Sequence, residues 1–277
     1  MSSSSEAKAT LARQLIEGLA KGEPDQVRAL FAGPADIDDP FAGRHVDGGF
    51  ERLVRNWGPA KLARIESMTL DHLTEGAGGR FCGAEYSLKL IKKNGELKLL
   101  NVVGVIEMAG DKALRTRLYY RRARVDSKQH IRNRVLDEPA HLEAFAPVLA
   151  QYQAALTAGD AEALARTFAR EGRFDGHGEA LDLKQGVGMG IYQGRENIRA
   201  VLIQMFGIID EEAGAGGNQR GANLEKLNIF SDGKTTIMEF NIIAPNHPTN
   251  LVHAGVAAYE IGADGLICDA RVYDEAW

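Results

Sequence analysis

The chain of 277 residues has few cysteines, no excess of positive charge and no metal-ligand spacing. Its two cysteines, Cys82 and Cys268, form no CxxC pair, so a metal knuckle is unsupported. A disulfide between them requires close Cα atoms, and two buried thiols are the favoured reading. The seven histidines are scattered, so no metal and no cofactor are expected. With a net charge of −5 and no basic run interleaved with aromatics, a nucleic-acid partner is not expected either.

Long apolar runs are also missing. No stretch of 18 apolar residues occurs, so no membrane span or membrane partner is expected. The first eight residues, MSSSSEAK, lack the apolar core of a signal peptide. These observations lead us to expect a cytoplasmic protein.

What the chain does contain is an internal repeat. The segment LAKGEPDQVRALFA, which begins at Leu19, returns as LTAGDAEALARTFA at Leu156, which is 156 − 19 = 137 positions later. Two further echoes follow in the same order: Gly49–Leu53 with Gly194–Ile198, and Arg117–Tyr120 with Arg271–Asp274. The period is far longer than that of a solenoid. The sequence therefore predicts a duplicated domain.

Each half begins with helical spacing of apolar residues and continues with long strand-like segments separated by Gly-containing turns. This order predicts an α+β domain in residues 1–126, a polar linker in 127–138 and a second α+β domain in 139–277. Both lengths are close to the commonest domain size.

The first half contains IDDPFAGRHVDGGFERLVRNW, and the second half ends in DGLICDARVYD. These segments resemble the nuclear-transport-factor-2-like superfamily, which includes SnoaL-like polyketide cyclases, ketosteroid isomerases and limonene-type epoxide hydrolases. The resemblance implies two tandem cone-shaped domains, each with helices packed in a strongly curved antiparallel β-sheet. It says less about activity, because one fold carries many functions.

The resemblance also suggests catalytic residues. Asp39, before Pro40, resembles the general base of ketosteroid isomerases, and a carboxylate beside apolar walls gains basicity. The Tyr of the isomerase helix corresponds to Tyr152 in the second half, where Asp175 is the nearest equivalent of Asp39. Tandem epoxide hydrolases suggest another pair, Asp39 with Glu66, in which one carboxyl is the acid and the other the base. Neither half contains the complete set of catalytic residues that the isomerases use.

The second half offers further candidates from its own residues. His253 lies in an apolar strand segment and is a candidate acid or base near neutral pH, with a buried structural histidine as the alternative. Alternation along the last strand places Val272 and Asp274 towards the cone. The ligand-binding residues expected are Trp57, His177, Glu239, Val272 and Asp274.

We therefore expect a cofactor-independent acid/base enzyme (a cyclase, isomerase or epoxide-opening enzyme) that acts on a small, mostly apolar, oxygenated metabolite. Two alternatives stay open: a non-catalytic small-ligand-binding protein, and a structural or protein-interaction pair whose cones are filled. The duplication predicts an internal pseudo-dimer that can form further homo-oligomers. Because the halves have diverged unequally, one cone is expected to be the working site and the other its support, with a preference for the second.

Overall fold

The structure, a computed structural model, describes residues 3–121, 132, 135, 141–176, 190–213, 223–244 and 251–273. The chain divides into two compact units, Met1–His130 and Ile131–Trp277, called the first and second units below. The boundary falls within the linker predicted at 127–138, most of which lies outside the described residues. No helix among the described segments is long and apolar enough to cross a membrane.

The first unit opens with four helices and two short strands. The helices are α1 (Ser3–Lys21), α2 (Pro24–Arg28), α3 (Phe50–Arg55) and α4 (Gly58–Leu62). The strands are β1 (Asp36–Asp39) and β2 (Gly43–Val46), followed by β3 (Ala63–Glu75), β4 (Phe81–Lys92), β5 (Leu97–Ala109) and β6 (Lys112–Tyr119). The sheet order is β2-β1-β6-β5-β4-β3, and a 3-10 turn at Ala77–Gly79 joins β3 to β4.

The second unit repeats this plan. Its helices are α5 (Pro147–Ala158), α6 (Ala161–Arg166) and α7 (Arg195–Ala213). Its strands are β7 (His141–Leu142), β8 (Phe168–Asp175), β9 (Ile191–Gln193), β10 (Asn223–Ser231), β11 (Thr235–Ala244), β12 (Leu251–Ile261) and β13 (Ile267–Tyr273). The sheet order is β7-β10-β11-β12-β13-β8-β9.

The prediction of two α+β units is confirmed, with one refinement. The long strands are antiparallel as expected, but β1 joins β6, β8 joins β13 and β7 joins β10 in parallel, so both sheets are mixed. Register shifts interrupt several of the ladders. Such bulges bend strands and increase their twist, which suits a cone.

The sequence echoes correspond to matching backbone features. Gly22 and Gly159 follow the first helix of their units with φ of 69° and 65°. Gly49 and Gly194 precede α3 and α7 with φ of 80° and 87°. Glycine adopts this left-handed conformation without the steric cost that a Cβ imposes, so the repeat retains the residues that end and begin its helices.

Each sheet has an inner face that packs against its helices in one apolar core. In the first unit this face carries Tyr86, Leu88, Leu100, Val102, Ile106 and Leu118. In the second it carries Met238, Phe240, Ile242, Ala257, Tyr259, Ala270 and Val272. Side chains that alternate with these point to the outer face.

Candidate functional site

Strand pairing aligns the two units residue by residue. Arg117 pairs with Val105 and Arg271 with Ala258, so the arginines of the repeat mark equivalent positions. Counting back along β5 and β12 from these partners makes Leu100 equivalent to His253, and Val102 to Gly255. The same registers make Leu118 equivalent to Val272 and Glu85 equivalent to Glu239.

Asp39 is buried in the first unit, where it is 1% exposed and hydrogen-bond donors surround its carboxylate. Its Oδ1 accepts hydrogen bonds from the backbone N–H groups of Phe41 (2.9 Å) and Ala42 (3.0 Å). Its Oδ2 accepts them from Trp57 Nε1 (3.0 Å) and Tyr120 Oη (2.6 Å). Four donors match the roughly four acceptor positions of a carboxylate. They stabilise its ionised form.

Aromatic rings surround this carboxylate. Phe41 stacks on Tyr120 with ring centroids 6.1 Å apart, and Trp57 meets Tyr120 edge-on at 6.3 Å. A Cβ on Gly58 would lie 2.7 Å from the Phe41 ring, so glycine permits this close packing. Asp39 therefore ties the Asp-Pro turn to the start of α4 and the end of β6.

Glu66, the predicted acid partner of Asp39, is placed elsewhere. It is solvent-exposed at a bulge of β3, between Ile65 and Ser67. Strand β3 is four strands from β1 in the sheet order, about 19 Å along the sheet at the usual strand spacing. The structure does not bring the two carboxyls together.

Two predicted residues of the second unit lie on the outer sheet face. Glu239 is fully buried, accepts a hydrogen bond from Asn228 Nδ2 and has Glu85 as its equivalent. Asp175 pairs with Arg173 and lies opposite Arg271 in the ladder. Both carboxylates thus point away from the helix-packed core.

The register corrects one equivalence inferred from the sequence. In the first unit it is Asp38 that lies opposite Arg117, as Asp175 lies opposite Arg271. Asp175 is therefore the counterpart of Asp38, and Gly176 takes the place of Asp39. The sequence misled because Asp38 and Asp39 are adjacent, and a shift of one residue moves a side chain to the other face.

The second cone differs from the first in its inner face. His253 is fully buried and pairs with Ile242, which places its imidazole on the inner face. Val272 belongs to the apolar core on the same face, as alternation predicted. The second unit thus has an imidazole where the first has the Leu100 side chain.

Tyr152 lies deeper in an aromatic cluster. Its ring is 5.3 Å from Tyr259 and 6.1 Å from Phe168 between centroids, and the contacts continue to Phe174. Tyr259 is six residues from His253 on β12, about 20 Å at the usual rise of an extended strand. Tyr152, on α5, therefore packs against the Tyr259 end of the inner sheet face, whereas His253 lies near the other end of β12.

Side-chain volume is redistributed along the inner sheet face. Towards the Tyr259 end the second unit has the larger residues: Tyr152 for Leu15, Met238 for Ala84 and Tyr259 for Ile106. In the next row but one, nearer the start of β12, it has the smaller ones: Phe240 for Tyr86 and Gly255 for Val102. Val272, which takes the place of Leu118, pairs with Ala257 and so shares a row with Met238. The Gly255 row of the second cone is thus lined by less bulk than its counterpart.

Two predicted ligand-binding residues, His177 and Asp274, lie outside the described residues. Sequence reasoning missed Tyr120 and Gly255. The echo of Arg117–Tyr120 with Arg271–Asp274 aligns Tyr120 of the first half with Asp274 of the second. This difference between the two halves was the available signal for Tyr120. Among the residues that the structure describes, no group of three His, Cys, Asp or Glu side chains is arranged to hold a metal ion.

The structure is similar to solved structures of cone-shaped proteins. An NTF2-like protein from Cytophaga hutchinsonii is 15% identical with a TM-score of 0.32, and the match covers 46% of this chain and 86% of that one. A SnoaL-like protein from Burkholderia thailandensis is 11% identical with a TM-score of 0.33, and the match covers 45% of this chain and 88% of that one. A protein with a ketosteroid isomerase-like fold from Catenulispora acidiphila, solved with trimethylamine, is 12% identical with a TM-score of 0.33. The match covers 42% of this chain and 88% of that one.

Each of these matches spans less than half of the chain, about the length of one unit. No protein-family model matches the sequence, and no curated protein matches it. The similarity concerns the fold of a single unit.

Proposed function

We propose that the second unit binds a small, mostly apolar, oxygenated metabolite in its cone and acts on it by general acid/base chemistry through His253. The observation that carries this proposal is the fully buried imidazole at an inner-face position where the first unit has Leu100. A buried polar side chain within an apolar surface is an informative departure from the usual distribution of residues. The leucine at the equivalent position shows that the fold does not require this polar ring.

Histidine suits the proposed role because its unperturbed charge change falls near neutral pH. A general acid or base is most effective when its proton affinity matches the working pH. On the inner face, Ile242 lies opposite His253 and Phe240 opposite Gly255, and both offer an apolar surface to a substrate with few polar groups. The imidazole would bind the substrate oxygen or remove a neighbouring proton.

The first unit is better suited to a supporting role. Four hydrogen bonds occupy the Asp39 carboxylate, and these favour its ionised form over its protonated form. These donors already engage both oxygens of the carboxylate, which suits a structural role.

One observation favours the alternative of a binding protein without turnover. Tyr152, the counterpart of the isomerase tyrosine, packs against Tyr259, and Tyr259 is about 20 Å along β12 from His253. His253 is then the single titratable side chain assigned to the chemistry. A binding site requires only one hydrogen-bonding group in an apolar cavity.

The test measures exchange of the α-protons of cyclohexanone in D2O and hydrolysis of cyclohexene oxide, with binding of both compounds followed by NMR. His253→Gln retains a polar side chain but removes the acid/base function, and His253→Leu installs the first unit's residue. His72→Gln, at an exposed histidine of β3, is the matched control. We expect turnover to disappear in both His253 variants, binding to persist in His253→Gln, and the control to be unchanged.

Binding of these compounds by the wild type without turnover would support the binding-protein alternative. Turnover that survives in His253→Leu would remove His253 from the mechanism and contradict the proposal.

A further inference from the structure

Gly255 has no backbone reason to be glycine. It is buried within the continuous pairing of β11 with β12, opposite Phe240. It is not among the glycines with positive φ. Glycine in a strand interior weakens the strand and commonly marks a place where a ligand or another backbone approaches closely.

Its counterpart shows what the glycine leaves out. Val102 fills the equivalent place in the first unit, opposite Tyr86, and its side chain is fully buried in the core. In the second unit Phe240 pairs across the ladder with Gly255, which contributes no side chain to the inner face. His253 is two residues before Gly255 on the same strand, so both point to the same face and lie about 7 Å apart.

We propose that Gly255 determines the size of the ligand: the ligand places an apolar group, about as bulky as the missing valine side chain, against Gly255 while its oxygen meets His253. This assignment rests on the proposed function, because it uses the same cone. It predicts a ligand in which a polar oxygen and a branched or ring-shaped apolar group are a few bonds apart. Val272, which replaces the larger Leu118, lies in the neighbouring row, where it pairs with Ala257.

The size of the effect follows from hydrophobic complementarity. One methylene gained or lost in an apolar pocket changes selectivity by about 10-fold or more. A valine at position 255 would fill the space that the apolar group needs but leave the oxygen site at His253 in place. Valine, the first unit's residue, should therefore abolish the preference for the larger ligand while binding of the smaller ligand persists.

The experiment compares phenol with 4-isopropylphenol as probes, using calorimetry on the full chain and on Gly255→Ala and Gly255→Val. The wild type should bind 4-isopropylphenol about 10-fold or more tightly than phenol. Gly255→Val should lose this preference but retain its affinity for phenol, and Gly255→Ala should fall between the two. Thermal unfolding of each variant verifies that it is folded.

An unchanged preference in folded Gly255→Val and Gly255→Ala would overturn the assignment of Gly255, and so would a wild type that binds neither phenol. The proposed function fails by a different result, which is turnover of the cyclohexanone or epoxide that survives in His253→Leu. A lost size preference combined with surviving turnover would support Gly255 and reject His253.

Discussion

The hydroxyl of Tyr120 donates a 2.6 Å hydrogen bond to Oδ2 of Asp39, across 81 residues of sequence. Together with Trp57 and the turn amides, this bond makes Asp39 a structural junction of the first unit. The residue that most resembles a catalytic base is thus the one most completely occupied by its own protein.

We expect Tyr120→Phe to lower the free energy of unfolding of the first unit by about 2 kcal/mol, because a hydrogen bond to a charged group contributes about 1.5–3 kcal/mol. Urea denaturation followed by tryptophan fluorescence measures this. Asp39→Asn should destabilise at least as much, since an amide cannot accept from all four donors. Ligand binding by the second unit should be unchanged in both, and a loss of turnover without a loss of stability in Asp39→Asn would restore Asp39 as a base.

Thr116 offers a change in the opposite direction. It is fully buried, and its hydroxyl oxygen has no hydrogen-bond partner in the structure. Valine has nearly the same shape and needs no partner. We expect Thr116→Val to raise the free energy of unfolding by up to about 1 kcal/mol. A Thr116→Val protein that unfolds more easily than the wild type would show that the hydroxyl has a partner after all.

The glycines that precede α3 and α7 form a natural matched pair. Alanine at either position must adopt positive φ, which costs about 1–2 kcal/mol. At Gly49 a Cβ would also lie 2.7 Å from His45 Nδ1, whereas at Gly194 its nearest neighbour would be the Arg170 carbonyl oxygen at 3.8 Å. Gly49→Ala should therefore destabilise its unit more than Gly194→Ala does, as measured by thermal unfolding. Equal effects would show that the His45 side chain moves aside.

Glu75 gives the first unit an acid-sensitive contact. Burial acts to raise the pKa of its carboxyl, but hydrogen bonds from Lys8 and Ser5 outweigh this, and the pKa lies below its ordinary value. A carboxyl whose pKa is lower in the folded state contributes stability above its unfolded pKa and loses it as the pH falls through the folded pKa. We expect the stability supplied by the 2.7 Å Lys8–Glu75 pair to be present at neutral pH and to decline below about pH 4.

Glu75→Gln tests this expectation through stability measured from pH 7 to pH 3. The variant should be less stable than the wild type at neutral pH, and the difference should shrink as the pH falls. A difference that stays constant over this range would show that the charge of Glu75 contributes nothing.

Local sequence signals predicted the long hairpins well. Asn94-Gly95, Asp232-Gly233 and Asp264-Gly265 all mark turns whose glycine has positive φ, at 84°, 91° and 76°. Strands β1 and β8 were not predicted. Strand β1 is four residues, three of them acidic, and its pairing depends on a parallel neighbour far along the chain.

The site was harder to predict because its geometry depends on distant residues. The side-chain donors to Asp39 are 18 and 81 positions away, so the Asp-Pro turn alone could not reveal that its carboxylate is saturated. His253 was visible as an isolated polar residue in an apolar strand. Its significance depends on the strand registers, which identify Leu100 as its counterpart.

The central claim is that the second cone, at the level of His253, holds the ligand. Chemical-shift mapping of the labelled full chain during titration with 4-isopropylphenol tests it most directly. The account predicts that the largest shifts lie on β12 from His253 to Ala257 and on Val272, while β5 from Leu100 to Gly104 is unaffected. Shifts concentrated around Asp39, Trp57 and Tyr120 would contradict it and place the working site in the first cone.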